Sequence, residues 1–226
     1  IKGKQPELWN PLTSEVRILP EQKQLTGATS IPMVMSPFES SFVIFRHPIQ
    51  EVKTNKNYPD AVCVASVKGP WTIEFEENRG GPKEPVVTDV LFDWMESENP
   101  QIKYFSGDAV YKTSFEINRI PETPVYIDLG KVMVMAKIRV NGVDAGGVWT
   151  TPYQINITDY LKEGVNELEI EVVNCWRNRM IGELSMPQSE RFTYHSAANI
   201  KADSEMQSSG LLGPVQVISY PYELIK

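Results

Sequence analysis

The stretch KVMVMAKIRVNGVDAGGVWTTPYQINITDYLKEGVNELEIEVV, residues 131–173, holds three runs of two-residue alternation joined by turn residues. Val134, Ala136, Ile138 and Val140 fall on one face, and Met133, Met135, Lys137 and Arg139 on the other. Tyr153, Ile155 and Ile157 alternate with Gln154, Asn156 and Thr158, and Leu168, Ile170 and Val172 with Glu167, Glu169 and Glu171. A period of two puts one row against a core and the next in water, which describes antiparallel strands covered on one side. On this reading the three glutamates are a solvated face rather than a source of chemistry. The Asn141-Gly142 pair supplies the positive φ angles of a tight hairpin.

Outward from this stretch, strands are expected at 16–19, 31–35, 42–46, 61–67, 71–76, 111–117, 125–129 and 215–219. Seventeen prolines and fourteen glycines punctuate the chain, and almost no segment keeps apolar residues at i, i+3, i+4 and i+7 beyond two turns, so the fold class is all-β. Thr158 or Asp159 is placed to cap one helical turn at Tyr160-Leu161, which Gly164 ends. The polar run EVKTNKNYPD, residues 51–60, suggests a boundary. Residues 1–52 then form a small β-rich segment, the end of a preceding domain, 53–60 a linker, and 61–226 a two-sheet sandwich. There is no internal repeat and no low-complexity tract.

A net charge of -7 and a pI near 5.0, with no basic stripe, argue against nucleic acid as a partner. No run approaches the roughly 18 apolar residues of a membrane helix, so no membrane partner is expected. The chain opens at Ile1 without the layout of a signal peptide, and localisation is expected to be specified elsewhere. Cys63 and Cys175, both in apolar strand-like contexts, are expected to be free and buried, with a disulfide only if their strands are neighbours. Two cysteines without histidines at ligand spacing make no metal site.

Glycoside hydrolysis needs two carboxyl groups across the scissile bond. Asp89, Asp93, Asp108 and Glu183 lie outside regular strands, but among 29 acidic residues such placements arise by chance. His47 and His195 sit in no nucleophile motif. No catalytic residue is assigned. Aromatic residues are the stronger lead, because sugar rings offer C–H faces that stack on Trp and Tyr. Trp94, Trp149, Tyr153 and Trp176 lie in or beside expected loops and are candidate carbohydrate contacts, together with Arg179, whereas Trp71, Tyr111 and Phe115 occupy inward positions. In NCWRNRMIGE, residues 174–183, Asn174, Asn178 and Glu183 are read as structural loop residues, with Arg179 binding loop carbonyls or Glu183.

The motifs GPWTIEF (69–75), IKYFSGDAVYKTSF (102–115), residues 128–158 and GVNELEIEVVNCWRNRMIGE (164–183) together resemble the C-terminal galactose-binding-like jelly roll of large glycoside hydrolases. The likeness is closest to the family 106 α-L-rhamnosidases, with kinship to the family 2 sugar-binding domain. PELWNP (6–11) and SSFVIFRH (40–47) are similar to the β-rich stretch before that sandwich. Two positions depart: Glu183 stands where members commonly carry Asp, and Cys175 where they carry Thr or Leu. In these enzymes the catalytic acids lie in a separate barrel. The resemblance therefore implies a non-catalytic accessory module whose partners are the parent catalytic domain and a plant polysaccharide or oligosaccharide. It implies a periplasmic or extracellular enzyme of the kind found in gut Bacteroidetes, and no cofactor. A structural Ca²⁺ is known in the fold family, but no dense Asp/Asn loop here assigns it a place. The alternative is an autonomous lectin-like module.

Overall fold

A computed structural model describes residues 1–37, 39–50, 56–194 and 199–225. Part of the expected linker, and His195, lie outside them. The N-terminal segment holds β1 (Lys4–Trp9), β2 (Val16–Ile18), β3 (Lys23–Leu25), β4 (Ala28–Ser30) and β5 (Phe42–Pro48). Three pair antiparallel in the order β2-β1-β5, and β3 and β4 make a separate hairpin. β1 was not expected from sequence, because KQPELW is polar and carries a proline. It is nonetheless the central strand. Its register against β5 shifts between Lys4 and Pro6, the irregularity a strand needs where a ring replaces an N–H. Residues 31–35, expected as a strand, have no regular structure.

The sandwich follows with β6 (Val62–Ser66), β7 (Trp71–Phe75), β8 (Val86–Thr88), the short α1 (Pro100–Lys103), β9 (Asp108–Ile117) and β10 (Val125–Asp128). Then come β11 (Lys131–Met133), β12 (Met135–Val140), β13 (Val143–Val148), β14 (Gln154–Asn156), β15 (Gly164–Val173), α2 (Arg177–Glu183), β16 (Gly210–Gly213) and β17 (Gln216–Ser219). A six-stranded sheet, β13-β12-β15-β9-β7-β8, and a four-stranded sheet, β14-β10-β17-β6, enclose the core, with β11-β16 as a short third pair. All strand pairs are antiparallel. Trp71 and Ile73 of β7, Tyr111 and Phe115 of β9, and Leu168, Ile170 and Val172 of β15 meet Val125 and Ile127 of β10 and Val217 of β17 in one cluster.

The alternation in 131–173 is realised with one exception. Ala136, Ile138 and Val140 are buried, but Val134 is exposed between β11 and β12. The chain changes sheets there: β11 pairs with β16 and β12 with β15, so no single inward row can run through both. The glutamates of β15 face outward among opposite charges, Glu169 beside Arg139 and Lys112 and Glu171 beside Lys137, as cross-strand pairing favours. Asn141 and Gly142 turn at φ 51° and 79° between β12 and β13. The expected helical turn is a 3-10 turn, Thr158–Tyr160, with Ile157 rather than Thr158 or Asp159 in the cap position. Cys63 and Cys175 are free. Cys63 is exposed, not buried, because β6 is an edge strand, and Cys175 leaves β15 in the other sheet.

Gly130 adopts φ +62°, and a β-carbon there would lie 2.5 Å from the Gly213 carbonyl carbon and oxygen. Backbone cannot yield as a flexible side chain can. Gly130→Ala is expected to cost about 2–4 kcal/mol in urea unfolding, from left-handed strain plus overpacking; an unchanged midpoint would contradict this packing.

Candidate functional site

Where the N-terminal segment meets the four-stranded sheet, a cleft of about 770 Å³ opens. Its floor follows from strand alternation. Val125 and Ile127 enter the core, so Tyr126 faces the other way, directly opposite Asn156 on β14. Gln154 shares that outer face, and Tyr220 and Tyr222 follow β17. Glu15, just before β2, closes the group: its Oε1 accepts the Tyr126 hydroxyl at 2.9 Å and the Asn156 amide at 2.8 Å. The Tyr222 hydroxyl donates to that of Tyr126 at 2.9 Å, and the Tyr220 hydroxyl to Gln154 Oε1 at 3.2 Å. The Tyr220 and Tyr222 rings are stacked, with centroids 5.3 Å apart.

The two halves are stitched by more than this network. Arg17 lies against the rings of Tyr58 and Tyr222 and donates to the Asn57 carbonyl. Asn57 is itself buried, its amide donating to the carbonyls of Glu21 and Pro32. Near the C-terminus, Leu224 bridges Arg17, and the Ile225 amide reaches the Val16 carbonyl. Burial pushes Tyr222 up to about 12, and burial first, with the neighbouring Tyr222 and Glu15, pushes Tyr126 higher still. Both hydroxyls therefore stay neutral at physiological pH and act as hydrogen-bonding groups, not as bases.

At the mouth stands Trp149, 57% exposed, at the end of β13. An indole with an open face beside amide and hydroxyl groups is suited to a saccharide, stacking its C–H face and pairing its hydroxyls. The cleft's carboxylates are already engaged: Glu15 as above, and Glu39 as acceptor for the Ser36 amide at 2.7 Å.

The candidate residues do not converge on one site. Tyr153 is half-buried and packs against the core beside the cleft. Trp94 is not a sugar contact: it is 0% exposed, donates its indole N–H to Tyr111 at 2.6 Å, and lies among Phe75, Phe105 and Tyr111. Asp93 caps the 3-10 turn Trp94–Glu96 and accepts from the Ser209 amide, and this turn aims the ring inward. Trp176 and Arg179 line a separate recess of about 260 Å³. Residues 177–183, read from sequence as loop, are the helix α2. Asn174 bonds Phe105 O and the Gly107 amide, and Asn178 pairs with both backbone groups of Gln207. Glu183 accepts from the amides of Phe192 and Thr193 and from the Thr193 hydroxyl. Asp89, Asp93, Asp108 and Glu183 are scattered, and none lines the cleft. Asp108 has its carboxyl raised by burial, then by Glu76 and Glu171. No group of three or more His, Cys, Asp or Glu is disposed to hold a metal among the described residues.

Sequence reasoning missed Glu15, Tyr126, Asn156, Tyr220 and Tyr222. The available signal was Tyr126 at the outward position of an expected strand, and the Tyr-Pro-Tyr run after 215–219.

Residues 83–208 match the family described as glycosyl hydrolase 2 galactose-binding domain-like. The chain belongs to this family. The chain superposes over 97% of its length on a rhamnosidase from Novosphingobium sp. PP1Y, with TM-score 0.86 and 33% identity. A Formosa agariphila protein provisionally named a beta-glucuronidase is 32% identical over 190 residues, 73% of this chain. The chain spans only 21% of the rhamnosidase and 16% of the Formosa protein. The expected likeness to a glycoside hydrolase β-sandwich thus stands, and the superposition takes in the N-terminal segment as well.

Proposed function

We propose that the domain is a non-catalytic accessory module of a larger carbohydrate-degrading glycoside hydrolase, docking on a catalytic domain and contacting glycan through the Trp149 cleft. The observation that carries this reading is the near-complete superposition of the chain on a fifth of a rhamnosidase. Within a longer enzyme, such a unit would dock through surface that this chain leaves exposed. The edge strands β6 and β8 expose Val62 and Val87, apolar groups that a neighbouring domain would cover. An enzyme acting on extracellular polysaccharide would place this module in the periplasm or outside the cell.

The isolated chain is expected to release no nitrophenol from nitrophenyl rhamnoside at any pH; turnover that survives repurification would end the accessory reading. In a glycan panel followed by calorimetry, Trp149→Ala is expected to weaken binding at least about tenfold, in keeping with loss of an exposed aromatic anchor. Equal affinity for the variant would remove the cleft from the reading. Strong binding by the isolated chain, without a partner, would instead favour an autonomous lectin.

A further inference from the structure

The second recess differs in chemistry from the cleft. It is lined by Asn78, Arg79, Ser106, Trp176, Arg179 and Phe192, with no carboxylate among them. Arg179 is only 7% exposed. A guanidinium taken out of water needs pairing on most of its donors, yet this one, lying over the Phe192 ring at 5.2 Å, has few hydrogen-bond partners. Nη2 donates to the Arg79 carbonyl, and Nε lies 3.7 Å from Glu183 Oε1, longer than a hydrogen bond. That carboxylate already accepts from Phe192 and Thr193. Nη1 of Arg179 makes no hydrogen bond and is not sealed from solvent among the described residues, and Arg179 is one of the residues that line the recess. Burial, outweighing the attraction of Glu183, lowers the Arg179 pKa, consistent with a cation short of negative charge.

Arg79 adds a second guanidinium, held by Glu76 at 2.9 Å through Nε and lying 5.7 Å from the Trp176 ring centre. Trp176 is 47% exposed and Phe192 also presents its ring to solvent, so apolar faces flank the cationic pair. A volume of about 260 Å³ equals about nine waters at roughly 30 Å³ each, room for one sugar ring. In a chain of net charge -7, the recess is lined by two guanidiniums, while the carboxylates beside them, Glu76 and Glu183, are not part of its lining.

We propose that this recess binds an acidic monosaccharide unit, its carboxylate or sulfate ester held by Arg79 and Arg179 and its ring laid against Trp176. The site is separate from the Trp149 cleft and rests on the carbohydrate reading only for the sugar part of the ligand. The guanidinium forks suit planar, bidentate recognition of an oxyanion, and a desolvated Arg179 makes the charge decisive.

The test is calorimetric titration of the 226-residue chain with sodium glucuronate, glucose 6-sulfate, glucose and sodium acetate at matched ionic strength. Glucuronate, glucose 6-sulfate or both are expected to bind with millimolar Kd, and to weaken as salt rises. The arm that binds identifies the acid. Glucose and acetate are each expected to be at least about tenfold weaker. Arg79→Gln and Trp176→Ala, at half-exposed side chains that leave the core intact, should each reduce acidic-sugar affinity at least about tenfold. Trp149→Ala should leave it unchanged, so failure of the cleft reading and failure of this one are distinguishable. Equal binding of glucose, equal binding of acetate, loss on Trp149→Ala, or no heat with either acidic sugar up to about 100 mM would each overturn the proposal.

Discussion

Trp94→Ala is expected to lower the unfolding free energy by about 3–5 kcal/mol, the range for deleting a large buried aromatic side chain. The ring is fully buried and meets Phe75, Phe105 and Tyr111, with centroid separations between 5.2 and 6.5 Å. Its removal leaves a cavity and takes away the indole donor to the Tyr111 hydroxyl, which among the described residues then keeps only the Leu211 amide at 3.2 Å. Against a typical total of about 5–15 kcal/mol this is a large fraction. Trp94→Phe retains part of the packing but not the donor and should fall between the two. Urea unfolding with the three proteins measures the order. A loss under about 1 kcal/mol for the alanine variant would mean that the indole does not fill the core, and would restore Trp94 as a surface contact.

Glu7 is the second position where one change should have a large effect. Its side chain is 0% exposed in the middle of β1, with Arg46 at 3.1 Å, His47 Nδ1 at 2.5 Å and the Trp9 indole donating at 3.1 Å. Burial raises its pKa, but hydrogen bonds from Trp9, His47 and Arg46, with the Arg46 charge, outweigh burial and leave the carboxyl below its ordinary value. Arg46 and His47 remain about half exposed, so losing Glu7 does not strand them away from water. Glu7→Ala is therefore expected to cost on the order of 3 kcal/mol, short of the upper range for a broken buried pair. The pH dependence has a definite sign. A depressed folded pKa gives a contribution fully present above the unfolded value of 4.5 and lost as pH falls through the lower folded value. Acidification from pH 5 to pH 3, on the order of the unfolded carboxylate range, should destabilise the wild-type chain more than Glu7→Gln. Trp9 fluorescence gives a local report. Parallel pH profiles for the two proteins would show that the carboxylate is not ionised and paired in the folded state.

These two residues also mark where sequence reading succeeds and fails. Trp71, Tyr111 and Phe115 sit on strands whose alternation assigns each an inside, and all three are in the core. Trp94 sits on no regular strand, so nothing in its neighbours' periodicity says which way the ring points; a 3-10 turn capped by Asp93 settles that. β1 was illegible for a different reason. Gln5, Glu7 and Pro6 violate the composition of a central strand, and they are accommodated by partners in other strands and loops, such as the Leu19 carbonyl that takes the Gln5 amide at 2.8 Å. The break at Val134 shows the same limit, because the row continues unbroken in sequence while the chain passes from one sheet to another.

The all-β class, the Asn141-Gly142 hairpin and the inward rows of β12 and β15 were readable from residues within a few positions of one another. Strand periodicity and turn chemistry are local, so each segment carries its own instruction. The cleft was not readable in this way. It depends on Glu15 meeting Tyr126 across 111 positions and Asn156 across 141, and the recess depends on Arg79 and Arg179 standing together across 100. Contacts at such separations exist only after the sheets have stacked and the N-terminal strands have closed over them, because side-chain chemistry names what a residue can bind and packing alone chooses its partner.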